Sequence, residues 1–345
     1  MDPQDTPQPR RRELCLGLAA SAVAAATAGC STAPARPVPA STRELRVYGN
    51  LSTLELGPVL LAADRYYGGK VHVQQGGITS LYGQAGDLPN LAAKGTSDLA
   101  TNSETQALRF SVTHPGLRCI LTVAEGVYRI VARRSSGIAK LADLRGKRIG
   151  TQPKTSSEYY LDDTLRTVGM TTADVKVVPY VAGTARPLAM MTDHLLRGEL
   201  DAVTIWEPEM QRAYEGLGAD AIEFHDPAAY REQFSLFTTE EKLRDPAIRR
   251  DIVAFVRAVI QASQHIQRQS AEAQALVARA GRFDEKLVAR AWRHHTFPAT
   301  LLPKLLDILV KEEVWVAKET GRAPRGRAEL ARLIDDSVLR EAMAG

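Results

Sequence analysis

The chain has 345 residues, 44% of them hydrophobic, and 44 Lys and Arg against 40 Asp and Glu give a formal net charge of +4 at pH 7. The basic residues form no run of the length of a nucleic-acid-binding arm, so no nucleic-acid partner is predicted. Of the three cysteines, Cys15 and Cys30 lie in the N-terminal segment and only Cys119 lies beyond it. This excludes a disulfide framework and a cysteine metal cluster, and Cys119 is predicted to be a buried structural thiol.

The N-terminal segment has the parts of an export signal. Arginines at positions 10–12 precede an alanine-rich apolar run over residues 14–28, which is shorter than the roughly 20 apolar residues of a membrane span. The small residues directly before Cys30 resemble those of a bacterial lipobox, which implies removal of residues 1–29 and lipidation of Cys30. The arginines also resemble a twin-arginine signal, although Cys15 stands where that signal usually has Leu. Sec and twin-arginine export both remain open.

A tether follows the signal. Residues 30–43 are rich in Pro, Ala and Ser and have no periodicity, which is typical of a linker. The chain is therefore predicted to be exported and held at the extracytoplasmic face of a membrane by a lipid at Cys30.

Strands and helices alternate beyond the tether. Strands are predicted over residues 44–49, 71–74 and 98–101, and helices over residues 54–63 and 91–94. A basic residue, a helix-capping Gly and an Asp at a strand start occur twice at the same spacing, as Lys94, Gly95 and Asp98 and as Arg197, Gly198 and Asp201. This repetition indicates two similar lobes.

Residues 138–208 read as one complete α/β unit: a short helix, a strand, a Thr/Ser loop, a helix, a strand, a helix and a final strand. Strands that alternate with helices predict a parallel sheet, and small ligands bind beyond the carboxyl ends of such strands. This order of residues resembles the second lobe of the nitrate/sulfonate/taurine-type solute-binding proteins of ABC importers. The resemblance extends over roughly residues 44–343.

The resemblance implies an α/β fold of the two-lobed, periplasmic-binding-protein-like type II. Each lobe is expected to be a mostly parallel sheet flanked by helices, with crossover hinge segments at 123–132 and 233–238. Lobe one would comprise residues 44–126 and 236–345, and lobe two residues 127–235. A long helix is predicted to begin at Asp245 and Pro246, since proline favours the first turn of a helix.

The resemblance also implies a ligand site in the cleft, lined by loops from both lobes. The predicted ligand-binding residues are Asn50, Ser52, Gly76, Gly77, Asn102 and Ser103 in lobe one, Glu125 beside the first crossover, and Thr155, Ser156, Ser157, Gly183, Thr184, Trp206 and Glu207 in lobe two. Gly126 is expected to lie close by. Lys154 departs from the family, in which a Gly commonly precedes the Ser/Thr pair.

Two features of lobe two carry most of this prediction. Residues 155–157 stand at the entrance of an apolar-periodic helix, where hydroxyls and free N–H groups favour a negative group, although helix capping explains any single hydroxyl equally well. Trp206 ends an apolar strand, from which it can stack on a ligand or fill the core of the lobe.

The predicted ligand is a small organic anion, sulfonate-like, and a thiamine-precursor-like pyrimidine stacked on Trp206 and bonded to Glu125 or Glu207 is the alternative. The predicted partners are an ABC permease and its ATPase, with the receptor itself a monomer. No cofactor, metal or catalytic residue is predicted, and adjacent His294 and His295 are interpreted as solvated or interface histidines. An enzyme on the same fold and a sensory lipoprotein are the alternatives from other classes.

Overall fold

The computed structural model describes residues 43–84, 96–180 and 187–344 of the chain. The predicted signal, Cys30, the tether up to residue 42, the helix predicted at 91–94, and Gly183 and Thr184 lie outside the described residues. No helix in the described ranges has the length and apolar character needed to cross a membrane.

The described residues form two sheets with helices around them. The strands are β1 (Leu45–Gly49), β2 (Val71–Gln75), β3 (Leu99–Asn102), β4 (Leu117–Val127), β5 (Ile130–Arg133), β6 (Arg148–Thr151), β7 (Lys176–Pro179), β8 (Ala202–Val203), β9 (Ala221–Phe224), β10 (Arg231–Thr239) and β11 (His295–Thr296). The helices are α1 (Gly57–Leu61), α2 (Glu104–Phe110), α3 (Ser156–Arg166), α4 (Pro187–Leu196), α5 (Glu209–Leu217), α6 (Glu240–Arg244), α7 (Pro246–Arg268), α8 (Ala271–Gly281), α9 (Glu285–Ala291), α10 (Leu305–Glu319), α11 (Arg327–Ala331) and α12 (Ser337–Met343).

The first sheet has the strand order β11-β4-β10-β3-β1-β2, and the second has the order β7-β6-β8-β5-β9. β1 runs parallel to β2 and β3, with Val47 opposite both Val73 and Leu99. In the second sheet β6 runs parallel to β7 and β8, with Ile149 opposite Val177 and Ala202. Each parallel set therefore lies at one side of its sheet.

The chain passes between the sheets twice, from β4 into β5 and from β9 into β10. These four strands pair antiparallel with their neighbours, and β4 and β10 also pair with each other, Glu125 opposite Gln233. The two-lobed α/β fold predicted from the sequence is confirmed. The sheets are mixed rather than mostly parallel, because the crossover strands enter each sheet in the opposite direction. The assignment of residues 44–126 and 236–345 to lobe one and 127–235 to lobe two stays a prediction.

The two repeated aspartates, Asp98 and Asp201, make the same pair of hydrogen bonds in the two sheets. Asp98 accepts a hydrogen bond from the backbone N–H of Arg46 in β1 at 2.8 Å, and its own N–H donates to the Arg46 carbonyl at 2.9 Å. Asp201 makes the same pair of bonds with Arg148 in β6, at 2.8 and 2.9 Å. Each aspartate directly precedes a strand, β3 or β8, and thus extends the hydrogen bonding between that strand and its neighbour by one residue.

Helix α7 covers the first sheet. Asp245 caps it by accepting from the N–H groups of Ala247 and Ile248, and Pro246 stands at its first position, as predicted. Its apolar side, including Phe255 and Val259, is buried in the same core as Val47 and Leu99 of the central strands. The helix predicted over 54–63 begins later than expected: α1 starts at Gly57 and continues as a π-helical turn over Ala62–Tyr66.

Candidate functional site

A cavity opens between the two sheets and takes its walls from both. Its lining residues are Asn50, Thr53, Glu55, Asn102, Ser103, Gln106, Thr155, Ser156, Trp206, Glu232 and Phe234. The space among them is about 370 Å³ when the open mouth is included, but only about 30 Å³ can hold the centre of a water molecule. That is room for about two waters, so the cavity is narrow in this structure.

The entrance of α3 forms the lobe-two wall. Thr155 caps the helix, accepting from the N–H of Ser157 at 3.2 Å and donating to the carbonyl of Gln152 at 2.7 Å. The Ser156 hydroxyl instead donates across the cleft to Glu232 at 2.7 Å. Ser157 is turned away from the cavity lining, with its hydroxyl donating to the carbonyl of Thr204 at 2.6 Å. Of the three hydroxyls, Thr155 and Ser156 line the cavity.

Two asparagines from the first sheet face this wall. Asn50 follows β1 and its Oδ1 accepts from the backbone N–H of Ser52 at 3.0 Å. Asn102 ends β3 and its Oδ1 accepts from the backbone N–H of Ser103 at 3.0 Å. Because both amide oxygens are engaged by the backbone, the two Nδ2 groups are left as hydrogen-bond donors for the cavity.

Trp206 lines the cavity three residues beyond the short strand β8. Its side chain is 8% exposed, and its indole N–H is buried with no hydrogen-bond partner among the described residues. A buried N–H without an acceptor costs about 1–3 kcal/mol, so this group favours a ligand with an acceptor atom. Glu207 does not line the cavity: it forms a buried ion pair with Arg129 behind the tryptophan.

Two carboxyl groups lie in the lining, and the sequence analysis proposed neither. Oε1 of Glu55 lies 3.1 Å from Nε2 of His295, and both side chains are 1% exposed. Burial raises the pKa of Glu55, but the charge and hydrogen bond of His295 outweigh it and lower the pKa. Of the two interpretations allowed for His295, solvated or interface, the solvated one is wrong, because β11 brings its ring against a buried carboxylate.

Glu232 is the second carboxyl group. Its Oε1 accepts from Ser156 and, at 3.1 Å, from the hydroxyl of Tyr128. Burial, together with the nearby charges of Glu55 and Glu104, raises the pKa of Glu232 well above its usual range. For Glu55, its place between Leu54 and Leu56 was the sequence signal for a buried carboxylate.

The remaining predicted residues within the described ranges lie outside the lining. The backbone N–H of Gly76 bonds the Gly49 carbonyl, Gly77 precedes a short 3₁₀ turn, and Ser52 bonds Asn50 through its backbone. Glu125 forms an ion pair with Lys304 at 2.9 Å. A role for these residues in ligand binding stays a prediction.

Several contacts join the two lobes around the cavity. The carbonyl of Lys154, whose φ is +62°, accepts from Gln106 at 2.6 Å and from Arg109 at 3.0 Å, both on α2. The Lys154 side chain itself is exposed. Arg290 of α9 binds Glu215 of α5 through two bonds of 2.5 and 2.8 Å. These contacts bridge the two sides of the cleft.

The profile of the NMT1/THI5-like family matches residues 80–273 of the chain. A comparison with curated proteins found no match. Among solved structures, the periplasmic aliphatic sulphonate binding protein SsuA from Escherichia coli is similar, with 18% identity, a TM-score of 0.64, and coverage of 86% of this chain and 92% of that one. The alkanesulfonate-binding protein SsuA from Xanthomonas axonopodis pv. citri, solved with MOPS, has 16% identity, a TM-score of 0.62, and coverage of 86% and 99%.

An enzyme shares the fold as well. A mutant of the desulfurization enzyme DszB in complex with biphenyl-2-sulfinic acid has 15% identity, a TM-score of 0.57, and coverage of 88% of this chain and 99% of that one. At these identities the similarity shows the fold alone, which is that of the periplasmic binding proteins.

Proposed function

This chain belongs to the NMT1/THI5-like family, and on that basis we propose that it is the solute-binding receptor of an ABC importer and captures a small, sulfonate-like organic anion between its lobes. The observation that carries the proposal is the unpaired indole N–H of Trp206, buried in the wall of a cavity that both lobes line. An acceptor-rich ligand such as a sulfonate would satisfy this donor and the Nδ2 groups of Asn50 and Asn102 together.

The charge of the cavity is compatible with an anion. The free N–H groups at the entrance of α3 favour a negative group by about 0.3–1 kcal/mol, and up to about 2 kcal/mol when it is partly buried. Glu55 opposes an anion less than a lone carboxylate would, because His295 is paired with it. Micromolar affinity needs about 8 kcal/mol in all, so hydrogen bonds from the cavity donors and burial of the ligand's apolar part must contribute the rest.

The proposed mechanism is closure of the two lobes on the ligand. A ligand that touches α3 and Trp206 on one side and Asn50 and Asn102 on the other stabilises the closed state by its differential affinity for it. The closed receptor would then dock on the permease, whose ATPase drives transport. In this proposal the chain is exported, cleaved before Cys30 and anchored by a lipid there.

Binding is favoured over catalysis by the state of the lining hydroxyl groups. The Ser156 hydroxyl donates to Glu232, whose raised pKa favours the protonated form that cannot take up a hydroxyl proton, and Thr155 is engaged in capping α3. Neither hydroxyl is therefore activated as a nucleophile.

The proposal can be tested with residues 31–345 by thermal melts against alkyl and aryl sulfonates, taurine, nitrate and thiamine-precursor pyrimidines. A ligand at about 100 times its Kd adds about 2.7 kcal/mol, which raises the midpoint by several degrees. The double variant Ser156→Ala with Trp206→Ala should abolish the shift, whereas Ser135→Ala, whose hydroxyl binds Asp220, should retain it. Unchanged affinity in the double variant would overturn the site, and a shift with pyrimidines alone would overturn the ligand class.

A further inference from the structure

Glu232 stands where the proposed anion should bind. It belongs to β10, which returns from the second sheet to the first, and its side chain is 4% exposed in the cavity lining. Its Oε1 receives hydrogen bonds from Ser156, the first residue of α3, and from Tyr128 in the first crossover. The chain therefore places its own acidic group at the helix entrance that favours a negative charge.

An ionised Glu232 and a bound anion cannot share this site. Two negative charges a few ångströms apart in a buried cavity repel each other strongly, and such pairs retain a proton between them. Sulfonates are ionised at every pH at which proteins fold, so the ligand cannot supply that proton. The proton has to be held by the protein.

We propose that Glu232 is a specificity-determining residue of the cleft, which carries a proton when an anion binds beside it and donates a hydrogen bond to that anion. The proposal rests on the function proposed above, because it takes the ligand to be an anion. Oε1 of Glu232 is occupied as an acceptor by two hydroxyls, which leaves Oε2 to carry the proton.

The groups around Glu232 favour its protonated form. Negative charge comes from Glu55, paired with His295, and from Glu104 at the start of α2. Glu104 in turn accepts from the hydroxyl of Tyr230 at 2.7 Å and contacts Glu312 of α10. Burial and these carboxylates raise the pKa of Glu232, although the hydrogen bonds from Ser156 and Tyr128 act in the opposite direction.

This arrangement couples ligand binding to pH. Below the pKa of Glu232 the proton is already in place and the affinity is constant. Above that pKa each binding event must take up one proton, so the affinity falls by up to about tenfold per pH unit. The affinity for a neutral ligand would not depend on pH in this way. Glu232 would therefore discriminate between ligands by their charge.

The experiment is calorimetric titration of residues 31–345 with ethanesulfonate, or with whichever sulfonate gives the largest thermal shift, between about pH 5 and about pH 9. Wild type should lose affinity as the pH rises. Glu232→Gln, whose amide imitates the protonated acid, should keep the low-pH affinity of wild type over the whole range. Glu199→Gln, which replaces an exposed carboxylate paired with Arg197, should behave as wild type.

The outcomes separate this proposal from the function on which it rests. A pH dependence that survives in Glu232→Gln would assign the proton to another group and overturn the proposal while the receptor function stands. Equal wild-type affinity at all pH values, combined with carboxyl infrared absorption that is unchanged in Glu232→Gln, would overturn the proposal as well. If no sulfonate binds at any pH, the anion-binding function fails and the proposal with it. As a measurement without ligand, the infrared absorption of protonated carboxyl groups near pH 7 should be weaker in Glu232→Gln than in wild type, because other buried carboxyl groups with a raised pKa, such as Glu312, also contribute to it, and equal absorption would contradict the proposal.

Discussion

Arg129 and Glu207 form an ion pair in which the arginine side chain is 0% exposed and the glutamate 2%. The arginine lies in the first crossover between β4 and β5, and the glutamate directly follows Trp206. The second carboxylate oxygen of Glu207 accepts from the backbone N–H of Gln211 at 2.9 Å, and the other branch of Arg129 reaches Glu223 at 2.6 Å. One buried cation therefore ties the hinge to the segment that holds the cavity's tryptophan.

Replacing Arg129 by Ala should lower the free energy of unfolding by about 3–5 kcal/mol, because it leaves the carboxylate of Glu207 buried without its cation. Urea denaturation at neutral pH measures this loss. The matched control is Arg166→Ala, because the Arg166 side chain is 49% exposed in its pair with Asp162. This replacement should lower the free energy of unfolding by less than about 1 kcal/mol. Similar losses in the two variants would show that burial of the pair does not matter.

Replacing Trp206 by Phe should weaken ligand binding by about fivefold, since the ring is largely kept and one hydrogen bond of about 1 kcal/mol is lost. Calorimetric titration with the ligand identified by the thermal-shift panel measures the change. Trp292→Phe is the control, because Trp292 packs against Phe297 in the core of the first sheet and does not line the cavity. Full affinity in Trp206→Phe would mean that the indole N–H does not contact the ligand.

Removing the two α2 side chains that bind the Lys154 carbonyl should let the lobes separate more readily. Gln106→Ala combined with Arg109→Ala should raise the radius of gyration of the ligand-free protein in small-angle X-ray scattering, and ligand should reverse the change. In the control Arg118→Ala, the lost bonds to Glu240 and to the Pro115 carbonyl all lie within the first lobe. An unchanged radius in the double variant would show that this contact does not hold the cleft narrow.

Acid should destabilise the protein through Glu313. Burial raises the pKa of this carboxyl group, but hydrogen bonds from Arg322 and Arg325 outweigh it and lower the pKa from 4.5 to about 2. A carboxyl group with a depressed pKa contributes stability above its unfolded pKa and loses it as the pH falls, here between about 4.5 and about 2, by about 3 kcal/mol. Urea denaturation over this range should show a smaller loss for Glu313→Gln, which is already less stable near neutral pH. If the free energies of unfolding of wild type and Glu313→Gln fall in parallel as the pH is lowered, Glu313 is not the source of the acid destabilisation.

Local patterns in the sequence determined much of the lobe architecture. Helix caps and strand starts were predictable, because they depend on residues within a few positions of each other. Examples are the capping residues of α3, the Asp245–Pro246 start of α7, and Asp98 and Asp201 at the starts of two strands. The family resemblance, rather than a local pattern, implied Asn50, Asn102, Ser103, Thr155, Ser156 and Trp206 as cleft residues, and all six line the cavity.

Only the tertiary structure decided what these residues face. Glu232 meets Ser156 across 76 positions of the chain, and His295 meets Glu55 across a still longer separation, because β10 and β11 return to the first sheet after the second is complete. The same return of the chain makes both sheets mixed. No periodicity in the sequence encodes a contact between residues so far apart, so the two carboxyl groups that set the charge of the cavity became visible only when the crossovers brought them to its wall.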